Sequence, residues 1–295
     1  MPPSSTQTQV SPSVPSPVRG RFAPTPSGPL HAGSVLAAIG SYLSAKGAGG
    51  LWYLRMEDLD RPRLQPGAAS TILAQLEALA LEWDGAILWQ SQHLERYGAA
   101  LNQLMATGIA YPCGCSRAAL QQSAGNCPCL ERPPAKARAW RLRPGPRAME
   151  AWEDRWRGPQ HPTVQHPPPA LLRADQIIAY VLASVVDDGF QRVTEVVRGE
   201  DLLPLTGVQR QLQAALDLPH PGYAHLPLIR DDRGRKLSKS AGAPGVAGSP
   251  GRAWEFCLRY LGWDLPADLM GADATTWRNW AIQRLHCGAP LWPQG

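Results

Sequence analysis

Between Arg21 and Ser34 the chain collects residue types that bind anions. A short apolar run gives way to prolines and Gly28, after which Val35, Leu36, Ile39 and Leu43 recur at helical spacing, so His31 to Ser34 should form a first helical turn. Strand, tight turn and helix N-terminus present unpaired N–H groups and a positive dipole end to whatever fills the turn. Gly28 and Gly33 admit a ligand close to the backbone, and His31 adds a donor aimed at a phosphate. That predicts nucleotide binding; the plain alternative is a strand–turn–helix joint with a surface histidine.

A second such stretch is Lys236-Leu237-Ser238-Lys239-Ser240. It follows the apolar run Leu226 to Ile229 and the charged turn Arg230 to Arg235. The segment Ala241 to Gly251, rich in Gly, Ala, Ser and Pro, follows and reads as mobile. Ammonium and hydroxyl groups beside flexible glycines suit a lid over phosphates; a solvated basic turn is the bland reading. The third stretch is the pair Cys113-Gly114-Cys115 and Cys127-Pro128-Cys129. Two Cys-x-Cys pairs around a short polar segment could give four thiolates to a tetrahedral zinc, or be free thiols in a loop.

The elements that must position these groups alternate. Leu51 to Met56 reads as a second strand that delivers Glu57, Asp58 and Asp60 at its C-terminal end, where open α/β sheets bind ligands. Helical patterns follow near Ile72 to Leu79 and Leu94 to Met105. Residues 131–170 are loop-rich, with a strand at Ala139 to Arg143 and a linker from Gln160 to Pro169. Leu171 to Asp175 should resume the sheet. A helix around Ile178 to Val185 and a strand from Val193 to Val197 come next. Thr206-Gly207-Val208-Gln209 looks like a capping box, and two more helical patterns lie at Ala253–Leu261 and Trp277–Leu285. The eleven tryptophans are dispersed, which suits a core better than a base-stacking platform.

Length and composition set bounds. The 295 residues can bury one large core or two modest ones, and a net charge of +5 permits a polyanionic partner without requiring one. No apolar run could cross a bilayer. Residues 1–17 lack charge and an apolar centre and read as a disordered leader, not a secretory signal. A cytoplasmic location follows, in which four of six cysteines crowded into residues 113–129 argue for metal over disulfides.

Taken together, His31-Ala32-Gly33-Ser34 and Lys236 to Ser240 resemble the signature pair of class I aminoacyl-tRNA synthetases. Arg21 to Gly28, Leu54 to Asp60 and Val197 to Leu203 look like the glutamyl branch, in the right order from about Arg19 to Ser240. Ser34 stands where the first motif usually has a second histidine. The resemblance implies a Rossmann-type parallel-sheet catalytic domain, α/β in class, divided as 18–110 and 170–240. An inserted zinc-bearing, acceptor-binding-like subdomain at 111–169 separates the halves, and 241–295 would be a mobile loop with a short helical segment. A further anticodon-reading domain of about 100–150 residues does not fit after Ser240. The resemblance is therefore to the truncated branch, the glutamyl-queuosine tRNA(Asp) synthetases.

The roles the resemblance implies are specific. Arg21 and Thr25 hold L-glutamate, Glu57 faces its ammonium, and Tyr180 and Arg198 complete the pocket, with Arg198 on the side-chain carboxylate. Gly28, His31, Gly33, Ser34 and Lys239 bind ATP. The α-carboxylate attacks the α-phosphorus of ATP, with His31, Lys236 and Lys239 as the catalytic charges and Mg²⁺ as counter-ion. The acceptor is queuosine-bearing tRNA(Asp), and the protein is a monomer. In this branch zinc is held by Cys-x-Cys, a tyrosine and a later cysteine. Here the tyrosine position falls near Ser123 and Cys129 is extra, so Cys113, Cys115, Cys127 and Cys129 are taken as the ligand set. The alternatives are a truncated glutamyl-tRNA synthetase acting on a tRNA 3′ end, a small-molecule nucleotidyltransferase or ligase of the same superfamily, and a silent tRNA-binding paralogue, against which His31 and both lysines speak.

Overall fold

The apolar runs around Phe22 and Leu54 lie side by side at the centre of the molecule. The computed structural model describes residues 17–145, 150–161, 164–230 and 249–292. Strand β1 (Arg19–Phe22) pairs in parallel with β2 (Leu51–Met56), Arg21 opposite Tyr53, and β2 pairs onward with β3 (Leu88–Trp89). The helices α1 (Ala32–Gly47) and α2 (Ala68–Ala78) make the crossovers. Helix α3 (Leu94–Ala106) then leads into β4 (Ala110–Cys113), α4 (Arg117–Gln122), β5 (Ala139–Leu142), β6 (Trp152–Asp154), β7 (Gly158–Gln160) and β8 (Ala170–Leu172). The chain returns through α5 (Tyr180–Phe190), β9 (Glu195–Gly199), α6 (Thr206–Ala215) and β10 (Gly222–Leu226), and continues as α7 (Pro250–Tyr260) and α8 (Ala274–His286).

Strands β9 and β10 are parallel, and β9 lies beside β1. The Thr194 N–H donates to Arg19 O at 2.9 Å, and the Arg19 N–H to Thr194 Oγ1 at 2.8 Å. The layer therefore reads β3-β2-β1-β9-β10. After β1 the chain turns to one side of the layer and β9 begins the other, which makes a crevice beyond the carboxyl ends of these two strands. Because helices cover the sheet, its strands are apolar on both faces: Trp52, Leu54 and Val196 are all fully buried. Helices α7 and α8 belong to the same core, where Trp254 and Trp277 join Ile39 and Leu43. A second core gathers Tyr97, Leu182 and Leu212 between α3, α5 and α6. None of the described helices is long and apolar enough to cross a membrane.

Two expectations are corrected here. The run at Leu171 does not resume the parallel sheet; β8 pairs antiparallel with β5, which pairs with β4 in a separate sheet. An isolated apolar triplet looks the same in either setting, and only its partner distinguishes them. Conversely, β6 and β7, inside the expected insert, return to the body, where Asp154 of β6 pairs with Tyr223 of β10.

Candidate active site

The turn after β1 is held through its own backbone N–H and C=O groups. The Glu57 N–H donates to Pro24 O at 3.0 Å and the Gln65 N–H to Pro26 O at 3.1 Å, while the Leu30 N–H donates to Gln75 Oε1 at 2.8 Å. Gly28 sits at φ 124°, a conformation a side chain would strain. His31 is the N-cap of α1, in extended backbone, and the helix begins at Ala32, one residue later than expected. Its Nδ1 accepts from the Ser34 N–H at 3.2 Å, and its Nε2 lies 3.1 Å from Ser34 Oγ. Ser34 thus braces both ring nitrogens of His31. A Cβ on Gly33 would come within 3.1 Å of His31 Cε1, so this position stays small to keep the ring in place.

The crevice at the strand ends is a cavity of about 570 Å³. Arg21 and Thr25 line it from the turn after β1, with Gly28, His31, Gly33 and Ser34 on the helix side. Glu57 enters from the end of β2, Tyr180 from the start of α5, and Arg198 from the end of β9. All nine described candidates for glutamate and ATP therefore meet in one space. Lys236 and Lys239 lie outside the described residues, although the run from Leu226 to Ile229 before them lines the same cavity.

Beneath Arg21 lies a buried charge network that sequence reasoning missed. Asp188 Oδ1 accepts from Arg55 Nη1 at 2.8 Å and from Arg21 Nε at 3.2 Å. Arg55 is fully buried, and its other nitrogens make longer ion pairs, 3.7 Å to Glu57 and 3.8 Å to Asp187. Asp187 also accepts from Gln90 at 2.8 Å and from the Tyr97 hydroxyl at 2.9 Å. Burial pushes the Glu57 carboxyl up to about 7 despite Arg55 and Arg21. At Asp188 burial acts the same way, but the two guanidinium groups outweigh it and hold the carboxyl below its usual value. The signal was present in the sequence: two adjacent carboxylates on an otherwise apolar helix, and an arginine inside an apolar strand, need one another.

The four cysteine thiols lie within 4.8 Å of one another, and none lines the cavity. Cys113 and Cys127 sulfurs are 3.5 Å apart, Cys115 and Cys129 3.6 Å, and Cys115 and Cys127 4.0 Å. These are not disulfide distances. Four sulfurs at zinc bond length on a tetrahedron stand about 3.8 Å apart, so the donor set fits that metal. Burial pushes up the thiols of Cys113 and Cys115, the latter to about 12. At Cys127 burial is outweighed by the neighbouring Tyr111 hydroxyl and the Cys113 thiol 3.5 Å away, which hold the thiol below its usual value. Ser123 is not part of the set, since its hydroxyl donates to Asn126 O at 2.7 Å.

A family model described as tRNA synthetases class I (E and Q), catalytic domain, matches residues 17–161 and 148–257. A glutamyl-Q tRNA(Asp) synthetase of Thiobacillus denitrificans is 47% identical, with 90% of this chain and 93% of that protein covered. One of Geobacter sulfurreducens is 46% identical over 92% and 93%. The chain belongs to the glutamyl-Q tRNA(Asp) synthetase family. Solved glutamate–tRNA ligases share the fold of this glutamyl-Q tRNA(Asp) synthetase family member. One from Elizabethkingia meningosepticum, in complex with its amino acid, is 28% identical with a TM-score of 0.67, over 77% of this chain and 53% of that one. Another, from Elizabethkingia anophelis, is 25% identical with a TM-score of 0.73, over 89% and 65%. Like the family it belongs to, the chain is a ligase of the class I aminoacyl-tRNA synthetase type.

The expected capping box at Thr206 is also corrected. Leu205 is the N-cap of α6, and Thr206 makes no side-chain cap. Its hydroxyl instead accepts from Arg198 Nη2 at 2.8 Å, so a tertiary partner has taken the oxygen that the local pattern assigned to the helix end.

Proposed function

We propose that this chain activates L-glutamate with ATP, without tRNA, to glutamyl adenylate and pyrophosphate, and then transfers the glutamate to queuosine at the wobble position of tRNA(Asp). The observation that carries the reading is the meeting of Arg21, Thr25, Glu57, Tyr180 and Arg198 with the N-terminus of α1 in one cavity at the switch point of the sheet. An acidic amino acid brings one ammonium and two carboxylates. Glu57 offers the one countercharge, and Arg21 and Arg198 the planar donors that carboxylates prefer. The α-carboxylate oxygen attacks the α-phosphorus, and the bond to the bridging oxygen breaks as pyrophosphate leaves. No protein nucleophile is needed; positioning and charge stabilisation carry the step. His31 and the α1 N-terminus would stabilise the phosphates, with Lys236 and Lys239 on the leaving pyrophosphate.

The metals divide by role. Cys113, Cys115, Cys127 and Cys129 would hold zinc, which supplies structure by tying α4 and the turn at Cys129 to the end of β4. Among the described residues these cysteines form the one cluster of three or more metal-type side chains. Mg²⁺ is read as a counter-ion carried in on the nucleotide, a habit that suits its reluctance to lose water. The queuosine acceptor rests on the names of the relatives. The test is glutamate-dependent exchange of pyrophosphate into ATP without tRNA, followed by charging of modified and unmodified tRNA(Asp) and of tRNA(Glu). Absence of exchange ends the activation reading. Glutamate on the 3′ end of tRNA(Glu), and none on queuosine-bearing tRNA(Asp), ends the acceptor reading.

A further inference from the structure

Arg198 is held from behind by buried groups that none of the steps above uses. Its Nε–H donates to His225 Nε2 at 3.0 Å, and Nη2 to Thr206 Oγ1 at 2.8 Å and Leu202 O at 3.4 Å. Nη1 has no hydrogen-bond partner among the described residues, and Arg198 lines the cavity. His225 stands opposite Arg198 in the β9–β10 register and is fully buried. On its far side Nδ1 meets Asp154 Oδ2 at 2.5 Å, and Asp154 is 1% exposed.

The proton positions in this chain are forced. Asp154 Oδ1 is already filled by three backbone donors, the N–H groups of Trp156 at 3.0 Å, Arg157 at 2.9 Å and His225 at 3.1 Å. Only Oδ2 remains for the imidazole. At the other end a guanidinium never gives up its proton, so His225 Nε2 must accept from Arg198, and the ring proton must sit on Nδ1 facing the carboxylate. The electrostatics agree. Burial pushes His225 below its usual value against the pull of Asp154, which keeps the ring neutral. At Asp154 burial is outweighed by hydrogen bonds from His225 and the backbone, which keeps the carboxyl ionised.

We propose that Asp154 and His225 are positioning residues that, with Thr206, lock the Arg198 guanidinium with its Nη1 end toward the cavity for the side-chain carboxylate of glutamate. The proposal rests on the reading of Arg198 as the partner of that carboxylate, and it adds what that reading lacks: why a long, flexible side chain presents one fixed edge. Pinning Nε and Nη2 removes the rotamer freedom that binding would otherwise have to remove, so the donors are set before glutamate arrives. It also gives β6 a role. This strand lies within the segment expected to be an insert, yet it supplies the carboxylate at the base of the amino-acid pocket.

Asp154→Asn tests the arrangement with almost no change in shape. Oδ1 keeps its three backbone donors, so the new NH₂ must take the Oδ2 place and face the ring. The imidazole then has to carry its proton on Nε2, donor against donor with Arg198 Nε, with only the Thr206 oxygen 3.1 Å away, already bonded by Arg198 Nη2, to receive it. The expected result in glutamate-dependent pyrophosphate exchange is a glutamate KM raised about 10- to 100-fold with the ATP KM within about twofold. The ¹⁵N shifts of the His225 ring should move to the Nε2–H tautomer. Should that variant fold poorly, His225→Phe and His225→Gln replace it. Phenylalanine loses the acceptor and should raise the glutamate KM, whereas glutamine, able to donate to Asp154 and accept from Arg198, should recover most of the loss. Arg198→Ala separates this proposal from its parent. A raised glutamate KM in Arg198→Ala, with none in Asp154→Asn or His225→Phe, overturns the relay and keeps the Arg198 contact. An unchanged glutamate KM in Arg198→Ala overturns both.

Discussion

Replacing Asp188 with asparagine removes one negative charge from a place where two guanidinium groups depend on it. Arg55 is fully buried and Arg21 is 4% exposed, and each bonds the same carboxylate oxygen, at 2.8 Å and 3.2 Å. Asparagine keeps the volume and one acceptor oxygen, so the loss is electrostatic. Breaking a buried pair from one side leaves uncompensated charge and costs about 3–5 kcal/mol. For a chain of 295 residues, unfolding entropy of roughly 2.1 cal/mol/K per residue converts this to a Tm lowered by about 5–8 °C. Because the groups are out of reach of counter-ions, added salt should restore little of it. Urea titration of Asp188→Asn, Arg55→Met and the double variant measures the coupling. The double variant should lose less than the sum of the singles by about 1–3 kcal/mol. A single Asp188→Asn loss under about 1 kcal/mol, the size of an exposed pair, would refute the reasoning.

Five other outcomes follow. Glu57 must be ionised to face an ammonium, and with its carboxyl at about 7 glutamate affinity should rise with pH and level off above that value; Glu57→Gln should flatten the profile. Stability runs the other way: a folded value above the ordinary 4.5 means that stability falls as pH climbs from 4.5 to about 7, as pH-dependent urea midpoints would register. Lys239→Ala should lose about 2.7–4 kcal/mol of transition-state stabilisation in pyrophosphate exchange, and a wild-type rate would refute its role. Elemental analysis should find one zinc per chain, lost in Cys115→Ser together with stability of the β4–β5–β8 sheet; a metal-free preparation that keeps its full fold would refute the site. Gly33→Ala should push the His31 ring aside and raise the ATP KM while the glutamate KM moves little, as exchange kinetics at varied ATP would show.

What could be read in advance was what local pattern encodes. Helical spacing behind His31 located α1, and the apolar run at Leu51 located β2, because each element buries a face its own sequence defines. The glycines and the histidine stood out as odd residue types beside those runs, whereas Arg198 and Tyr180 were singled out only by the family resemblance. What escaped depends on partners far along the chain. Asp154 and His225 are 71 residues apart, and nothing near either announces the other; Arg55 and Asp188, 133 apart, each stand out on an apolar element, yet neither points to its partner. Thr206 was misread because its hydroxyl had a choice between a helix end and Arg198, and the buried cation won.

The placement of α7 and α8 against α1 bears on how the molecule is made. A chain leaves the ribosome from its first residue, yet Leu36, Ile39 and Leu43 share their shelter with Trp254 and Trp277. Until residues 250–286 have emerged, the helix that carries His31 at its head stands half-clothed in water. The nascent catalytic half acquires its working shape only once α7 and α8 have followed it out.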